Sequence, residues 1–96
     1  MAVEIKRSHL PTKKFNAAID GKRTVPFGQK RAEDYTMHKD DIRKQRYIER
    51  HRSRENWNDP TTPGFYSRWL TWNKPTLRES VADVNKRFKS VKITLR

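Results

Sequence analysis

The chain contains no cysteine, and its three glycines are isolated from one another. The absence of cysteine excludes a disulfide framework, a thiolate nucleophile and a zinc site with Cys ligands. No glycine-rich run resembles a phosphate-binding loop. No apolar run approaches the roughly 18 residues of a transmembrane helix, and residues 1–7 lack the apolar core of a signal peptide. The sequence therefore predicts an intracellular protein, or one that lies inside a larger assembly.

Hydrophobic residues are also scarce, at 32% of the 96 residues against 35% charged residues. Low hydrophobicity combined with a high net charge is typical of disordered chains. Three Trp and three Tyr oppose this tendency, because one large aromatic side chain can bury about 150–250 Å². A chain of this length accommodates a single small domain, so we expect residues 1–96 to form one domain with a small core.

Acidic residues are few: 11 Asp and Glu stand against 23 Lys and Arg, and the formal net charge is +12. Such an excess predicts an anionic partner, which could be nucleic acid, an acidic protein surface or anionic lipid.

Apolar and polar residues alternate in residues 1–28 and again at the end of the chain, which predicts strands. Val3 and Ile5 indicate a short first strand, and residues 91–96 a last one. Residues 13–28 predict a β-hairpin around Asp20-Gly21. A two-residue turn would place the apolar residues of its two strands on opposite faces. A loop of Ile19-Asp20-Gly21 would instead gather Phe15, Ala17, Val25 and Phe27 on one face, and we favour it for that reason. Pro26 then belongs on an edge strand.

Three helices are predicted in the second part of the chain. A basic helix spans residues 38–54, with either His38 or Asp40 at its start. An aromatic helix over residues 62–73 begins with Thr62-Pro63. Residues 76–89 form an amphipathic helix opened by a capping box, in which Thr76 and Glu79 satisfy each other's amides. The fold class is therefore α+β: a hairpin and short terminal strands packed on two or three helices. We expect a tryptophan-rich core made of Trp57, Phe65, Trp69, Leu70 and Trp72.

The basic helix carries the sharpest functional feature, a stripe of cations within an arc of roughly 80°. Its members are Lys39, Arg43, Arg46, Arg50 and Arg54. A guanidinium fork matches paired oxygens, so the stripe could follow a phosphate backbone or an acidic protein groove. A solvated helix face is the alternative, but stacked like charges destabilise a helix when they lack partners.

Further cations surround the hairpin, namely Lys13, Lys14, Lys22 and Arg23. They could extend the anion-binding surface, and they could equally be a plain decoration of an exposed hairpin. Arg68, within the aromatic segment, is expected to be an ordered and partly buried cation.

Neither an enzyme nor a metal protein is expected. His9, His38 and His51 do not have the spacing of a metal motif, and no catalytic residue or cofactor is predicted. Exposed tryptophans could stack on single-stranded bases, but the spacing of Phe65, Trp69 and Trp72 favours a core face instead.

The chain resembles a group of small basic proteins encoded by large double-stranded DNA viruses of algae and protists, with weaker relatives in large tailed phages. The resemblance covers about residues 13–88. It is carried by Phe27-Gly28, residues 34–40 (DYTMHKD), residues 46–51 (RYIERH), Trp57 and residues 64–77 (GFYSRWLTWNKPTL). It implies a viral protein found in the virion or in the virus factory of the host cell, and it implies no activity.

Two functions follow as hypotheses. The first is a structural component of the virion, such as a minor capsid or internal cement protein, that binds acidic surfaces of capsid proteins. The second is a nucleic-acid-binding protein that condenses or escorts the viral genome without sequence specificity, mainly through electrostatic contacts.

Overall fold

A computed structural model describes residues 1–96, and it contains a four-stranded mixed sheet and four α-helices. The strands are β1 (Ala2–Arg7), β2 (Lys13–Ile19), β3 (Arg23–Gln29) and β4 (Lys92–Leu95). The helices are α1 (Tyr35–His38), α2 (Asp41–His51), α3 (Pro63–Tyr66), which continues as a π-helical turn (Ser67–Thr71), and α4 (Leu77–Arg87). The strand order is β3-β2-β1-β4, with β4 parallel to β1 and the other pairs antiparallel. The predicted α+β fold class is confirmed.

The hairpin places its apolar residues on one face, as predicted, but its loop lies one residue further along the chain. Ile19 pairs with Arg23, so the loop is residues 20–22 and not residues 19–21. Ile19 stays in the strand because its side chain is buried. Asp20 and Gly21 both adopt positive φ, 51° and 67°, and the Asp20 carboxylate accepts the Ala2 amide at 2.8 Å.

Both edges of the sheet are protected. Pro26 lies in the edge strand β3, as predicted, and contributes no N–H to a pairing strand. At the other edge, the Asn85 amide accepts the Ile93 N–H at 2.6 Å and donates to the Ile93 carbonyl at 2.9 Å. β4 begins at Lys92 and ends at Leu95, so it is shorter than the predicted 91–96.

The predicted basic helix is present, but it is shorter than residues 38–54, because two aspartates each start a separate helix. The Asp34 carboxylate caps α1, which ends at Lys39 in the left-handed conformation with a φ of 54°. The Asp40 carboxylate then caps α2 by accepting the amides of Ile42 and Arg43. A left-handed residue cannot lie inside a helix, so the helix proper begins only after it. α2 ends at His51, and residues 52–54 form turns.

The aromatic helix starts as predicted, with Thr62 accepting the Phe65 amide and Pro63 in the first turn, but it does not remain α-helical to residue 73. From Ser67 the winding widens, and the Trp72 N–H donates to the Ser67 carbonyl five residues back, at 2.9 Å. Phe65 and Trp69 both still contact Phe88 and pack with the core. Trp72, at the end of the wider turn, stacks on Tyr47 instead, so the three aromatics do not share one core face.

The core is centred on Phe27, Phe65 and Tyr66, each fully buried, and not on the tryptophans. The rings of Phe27 and Tyr66 lie 5.5 Å apart, and Tyr66 donates to the Pro60 carbonyl at 2.7 Å. Of the five predicted core residues, Phe65 and Leu70 are buried, and Trp69 is half-buried against the core. Trp57 and Trp72 are half-buried outside it, where they stack with Tyr47. The predicted tryptophan-rich core is therefore only partly correct.

Helix α4 closes the core and is two residues shorter at its end than the predicted 76–89. Thr76 accepts the Glu79 amide at 3.1 Å, but the Glu79 carboxylate accepts the Thr76 hydroxyl at 2.8 Å and not its amide. Half of the predicted capping box is thus replaced by a side-chain bond. Helix α4 ends at Arg87 because Phe88 is extended and packs against the core. None of the helices combines the length and apolar composition needed to cross a bilayer.

Candidate functional site: a basic cleft beside helix α2

A cleft of about 650 Å³ lies between helix α2, the open end of the hairpin and the segment from residue 55 to residue 72. We call it the basic cleft. Five of the nine predicted binding residues line it, namely Lys13, Lys14, Arg43, Arg46 and Arg50. The hairpin cations and the basic-helix cations were predicted as two separate surfaces. In the folded protein, these five line the same cleft.

The other four predicted residues lie outside the basic cleft. Lys39 donates to the Thr36 carbonyl at 2.8 Å, and Arg54 lies beyond the end of α2. Lys22 and Arg23 lie at the closed end of the hairpin, where Arg23 approaches the Thr61 carbonyl at 3.5 Å. The predicted five-residue stripe on one helix is wrong: three arginines remain on α2, because the helix is shorter than expected.

Two of the five cleft cations already have carboxylate partners. Lys14 contacts Asp34 at 2.7 Å, and the two side chains are only 15% and 6% exposed. Lys14 also donates to the Ala32 carbonyl at 2.6 Å, so its role is to hold the connection after β3 against the sheet. Arg43 pairs with Glu33 at 3.3 Å, but both side chains are largely exposed, and such a pair contributes little.

The remaining three cations, Lys13, Arg46 and Arg50, have no ion pair within 4.0 Å and no side-chain hydrogen bond in the protein. Their donors are therefore available to a ligand. Arg46 and Arg50 lie four residues apart on the same helix face, and Lys13 faces the same cleft from the hairpin. This trio is the part of the predicted site that can bind an external anion.

One carboxylate lies in the basic cleft in an unusual position. Glu55 is half-buried and covers Gly64 so closely that a Cβ built on Gly64 would lie 1.6 Å from the Glu55 Oε2 atom. The Glu55 carboxylate thus occupies the space that a side chain at position 64 would fill. Glu55 forms no ion pair within 4.0 Å. No sequence pattern indicates this contact, because the two residues are joined by an irregular segment.

An aromatic stack fixes the orientation of α2. Tyr47 lies parallel to Trp72 with ring centroids 4.4 Å apart, and its ring is also stacked on His51 at 4.4 Å. Trp57 lies parallel to Tyr47 at 6.4 Å. Burial raises the pKa of Tyr47 far above its usual value, so the phenol stays protonated. With Tyr47 buried in this way, Arg46 and Arg50 are directed to the exposed side of the helix.

Lys44, which was not predicted as a functional residue, holds α2 to the segment that follows the π-helical turn. Its ammonium donates to the Asn73 carbonyl at 2.6 Å and lies 4.8 Å from the centre of the Tyr35 ring. Burial is the main cause that lowers the pKa of Lys44. Lys44 precedes Tyr47 by three positions, so it lies on the inward side of the helix. That spacing is the signal that could have identified it.

Arg68 is an ordered, partly buried cation, as predicted. Its guanidinium donates to the Trp72 carbonyl at 2.9 Å and lies 4.4 Å from the Trp69 ring centre. Burial lowers its pKa. Lys44 and Arg68 thus donate to consecutive carbonyls at the end of a helical segment, where cations are favourable. Their role is structural, and neither lines the basic cleft.

The histidines are dispersed, and no group of three or more His, Asp or Glu side chains could hold a metal ion. His38 accepts the Asp40 amide through Nδ1 at 3.0 Å, and His51 stacks on Tyr47.

Residues 3–51, just over half of the chain, match the Family of unknown function (DUF5754). The chain belongs to this family. The matched segment runs from β1 to the end of α2 and so includes all five cations of the basic cleft, but not Glu55 or Gly64. Comparisons with curated proteins and with solved structures found no match.

Proposed function

We propose that this DUF5754 family member is a non-enzymatic binding protein whose basic cleft holds an acidic segment of a larger protein. One observation carries the proposal: Lys13, Arg46 and Arg50 face the same cleft without any internal partner. Cations grouped on one surface repel one another, and an anionic ligand relieves that repulsion. Carboxylates suit the two guanidinium groups because each can accept two parallel N–H bonds.

Two features favour a protein partner over a nucleic acid. Glu33 and Glu55 also line the basic cleft, and their charges oppose a continuous phosphate backbone. The three tryptophans are half-buried and engaged within the protein: Trp57 and Trp72 stack with Tyr47, and Trp69 contacts Phe88. They do not form an exposed platform for stacking single-stranded bases.

The setting that we propose is the virion, where the protein would be a minor capsid or internal cement component. The resemblance of residues 13–88 to small basic proteins of large DNA viruses supports this setting. The small size and both protected sheet edges also suit a component that fills a place between larger proteins without self-association.

A second candidate is a sequence-nonspecific nucleic-acid-binding protein that condenses or escorts the viral genome. The net charge of +12 favours it, since phosphate contacts give affinity that depends on charge and not on base sequence.

A salt-dependent titration tests the proposal, with Trp72, which lines the basic cleft, as the fluorescent reporter. The probes are a short glutamate-rich peptide, a glutamine-rich control peptide of equal length, and duplex DNA. We expect the glutamate peptide to bind with one-to-one stoichiometry and to stay bound at about 0.15 M salt, where weak surface electrostatics are screened. DNA that still binds at this salt concentration, together with a glutamate peptide that does not, would favour the second candidate and contradict the first.

A further inference from the structure

The charge pattern of the basic cleft is not uniformly positive. Glu55 lies in the cleft with Lys13, Arg46 and Arg50, is half-buried, and forms no ion pair within 4.0 Å. Its carboxylate oxygens accept no hydrogen bond from the protein, so they are available to a donor on a ligand. The carboxylate lies over Gly64, in the space that a Cβ at position 64 would occupy.

We infer that the basic cleft recognises a segment of mixed charge, in which acidic residues meet Arg46, Arg50 and Lys13 while one lysine or arginine of the partner meets Glu55. This inference rests on the proposed function and specifies the partner further. The cleft presents three cations and one anion that have no ion pair within the protein. A ligand with acidic residues opposite the cations and one basic residue opposite Glu55 pairs all four charges. A purely acidic ligand leaves Glu55 unpaired and brings like charges near it.

The unpaired Glu55 carboxylate gives the basic cleft specificity among anionic ligands. Electrostatic complementarity selects partners chiefly by penalising the wrong pattern, and Glu55 supplies such a penalty against polyanions. The protein is strongly basic and attracts any polyanion. Among the carboxylates of the cleft, Glu55 is the one without an ion pair, and it disfavours nucleic acid relative to a protein segment with a cation at the matching position. Glu55 is therefore a specificity-determining residue of the binding site.

The test compares glutamate-rich peptides that carry a single lysine at successive positions with the same peptides carrying glutamine instead. General electrostatics predicts weaker binding of the lysine peptides, because they are less negative and the protein has a charge of +12. We expect the reverse at one lysine position: binding to the wild-type protein about threefold to fivefold tighter than that of the glutamine peptide. Glu55→Gln should abolish this preference and should raise the affinity for duplex DNA by a similar factor.

Glu49→Gln is the matched control, because Glu49 lies on α2, is exposed and does not line the basic cleft. It removes the same charge and should leave the lysine preference intact. A wild-type protein that binds every glutamine peptide more tightly, or a preference that survives Glu55→Gln, would overturn this inference alone. If no peptide of either kind binds, the proposed function fails, and this inference fails with it.

Discussion

Replacement of Lys14 by methionine is expected to lower the free energy of unfolding by about 3 kcal/mol, although the sequence marks Lys14 as one of several surface cations. The reason is Asp34, whose side chain is 6% exposed and 2.7 Å from the Lys14 ammonium. Methionine keeps the length of the side chain but leaves a buried carboxylate without its cation. The carboxylate retains hydrogen bonds from Thr36, so the loss should lie at the low end for a broken buried ion pair. Urea denaturation measures it.

Lys13→Met is the control for this prediction, because Lys13 precedes Lys14 on the same strand but forms no ion pair. We expect it to change the free energy of unfolding by less than about 0.5 kcal/mol. The double replacement Lys14→Met with Asp34→Asn should recover part of the loss, since no charge is then left buried. Equal stability of the Lys14→Met and Lys13→Met proteins would show that the ion pair does not stabilise the fold.

Charge reversal at Arg46 and Arg50 is expected to weaken binding of the glutamate-rich peptide by about 100-fold. A hydrogen bond to a charged group contributes about 1.5–3 kcal/mol, and the double variant removes at least one such contact and adds repulsion. Neither side chain forms an ion pair in the folded protein, so the free energy of unfolding should change little. Calorimetric titration of the Arg46→Glu, Arg50→Glu protein measures the affinity.

A second double variant separates the basic cleft from the overall charge. Arg78→Glu with Lys86→Glu changes the net charge by the same amount on α4, and both positions are exposed and outside the cleft. It should retain most of the wild-type affinity. If both double variants lose affinity equally, binding depends on net charge and the cleft has no special role.

The elements that could be predicted from the sequence are those fixed by neighbouring residues. Thr62-Pro63 starts a helix because the Thr62 side chain and the proline ring act within one turn. The pattern of apolar residues in the hairpin likewise fixes the face that they share, and a loop displaced by one residue at both ends preserves it. Asp40 could be predicted as a helix start for the same reason, whereas the separate short helix capped by Asp34 was not predicted, because only the left-handed Lys39 divides the two.

The composition of the candidate site depends on contacts between distant parts of the chain, and the sequence does not show them. Lys13 and Lys14 have the same charge and are adjacent, and only Asp34, twenty residues away, makes one structural and leaves the other free. The same is true of Glu55, whose position over Gly64 depends on the path of an irregular segment. The spacing of Phe65, Trp69 and Trp72 could not reveal the π-helical turn. Trp72 stacks on Tyr47 of another helix, and this contact between distant residues is not visible in the local sequence.

The most direct test of the central claim is a map of backbone amide shifts by NMR while the labelled protein is titrated with the glutamate-rich peptide at about 0.15 M salt. Binding in the basic cleft predicts that the largest shifts occur at Lys13, Arg46, Arg50 and Gly64, which line it. Shifts centred outside the cleft, for example at Arg78 and Lys86 on α4, or spread evenly over all exposed lysines and arginines, would contradict the claim.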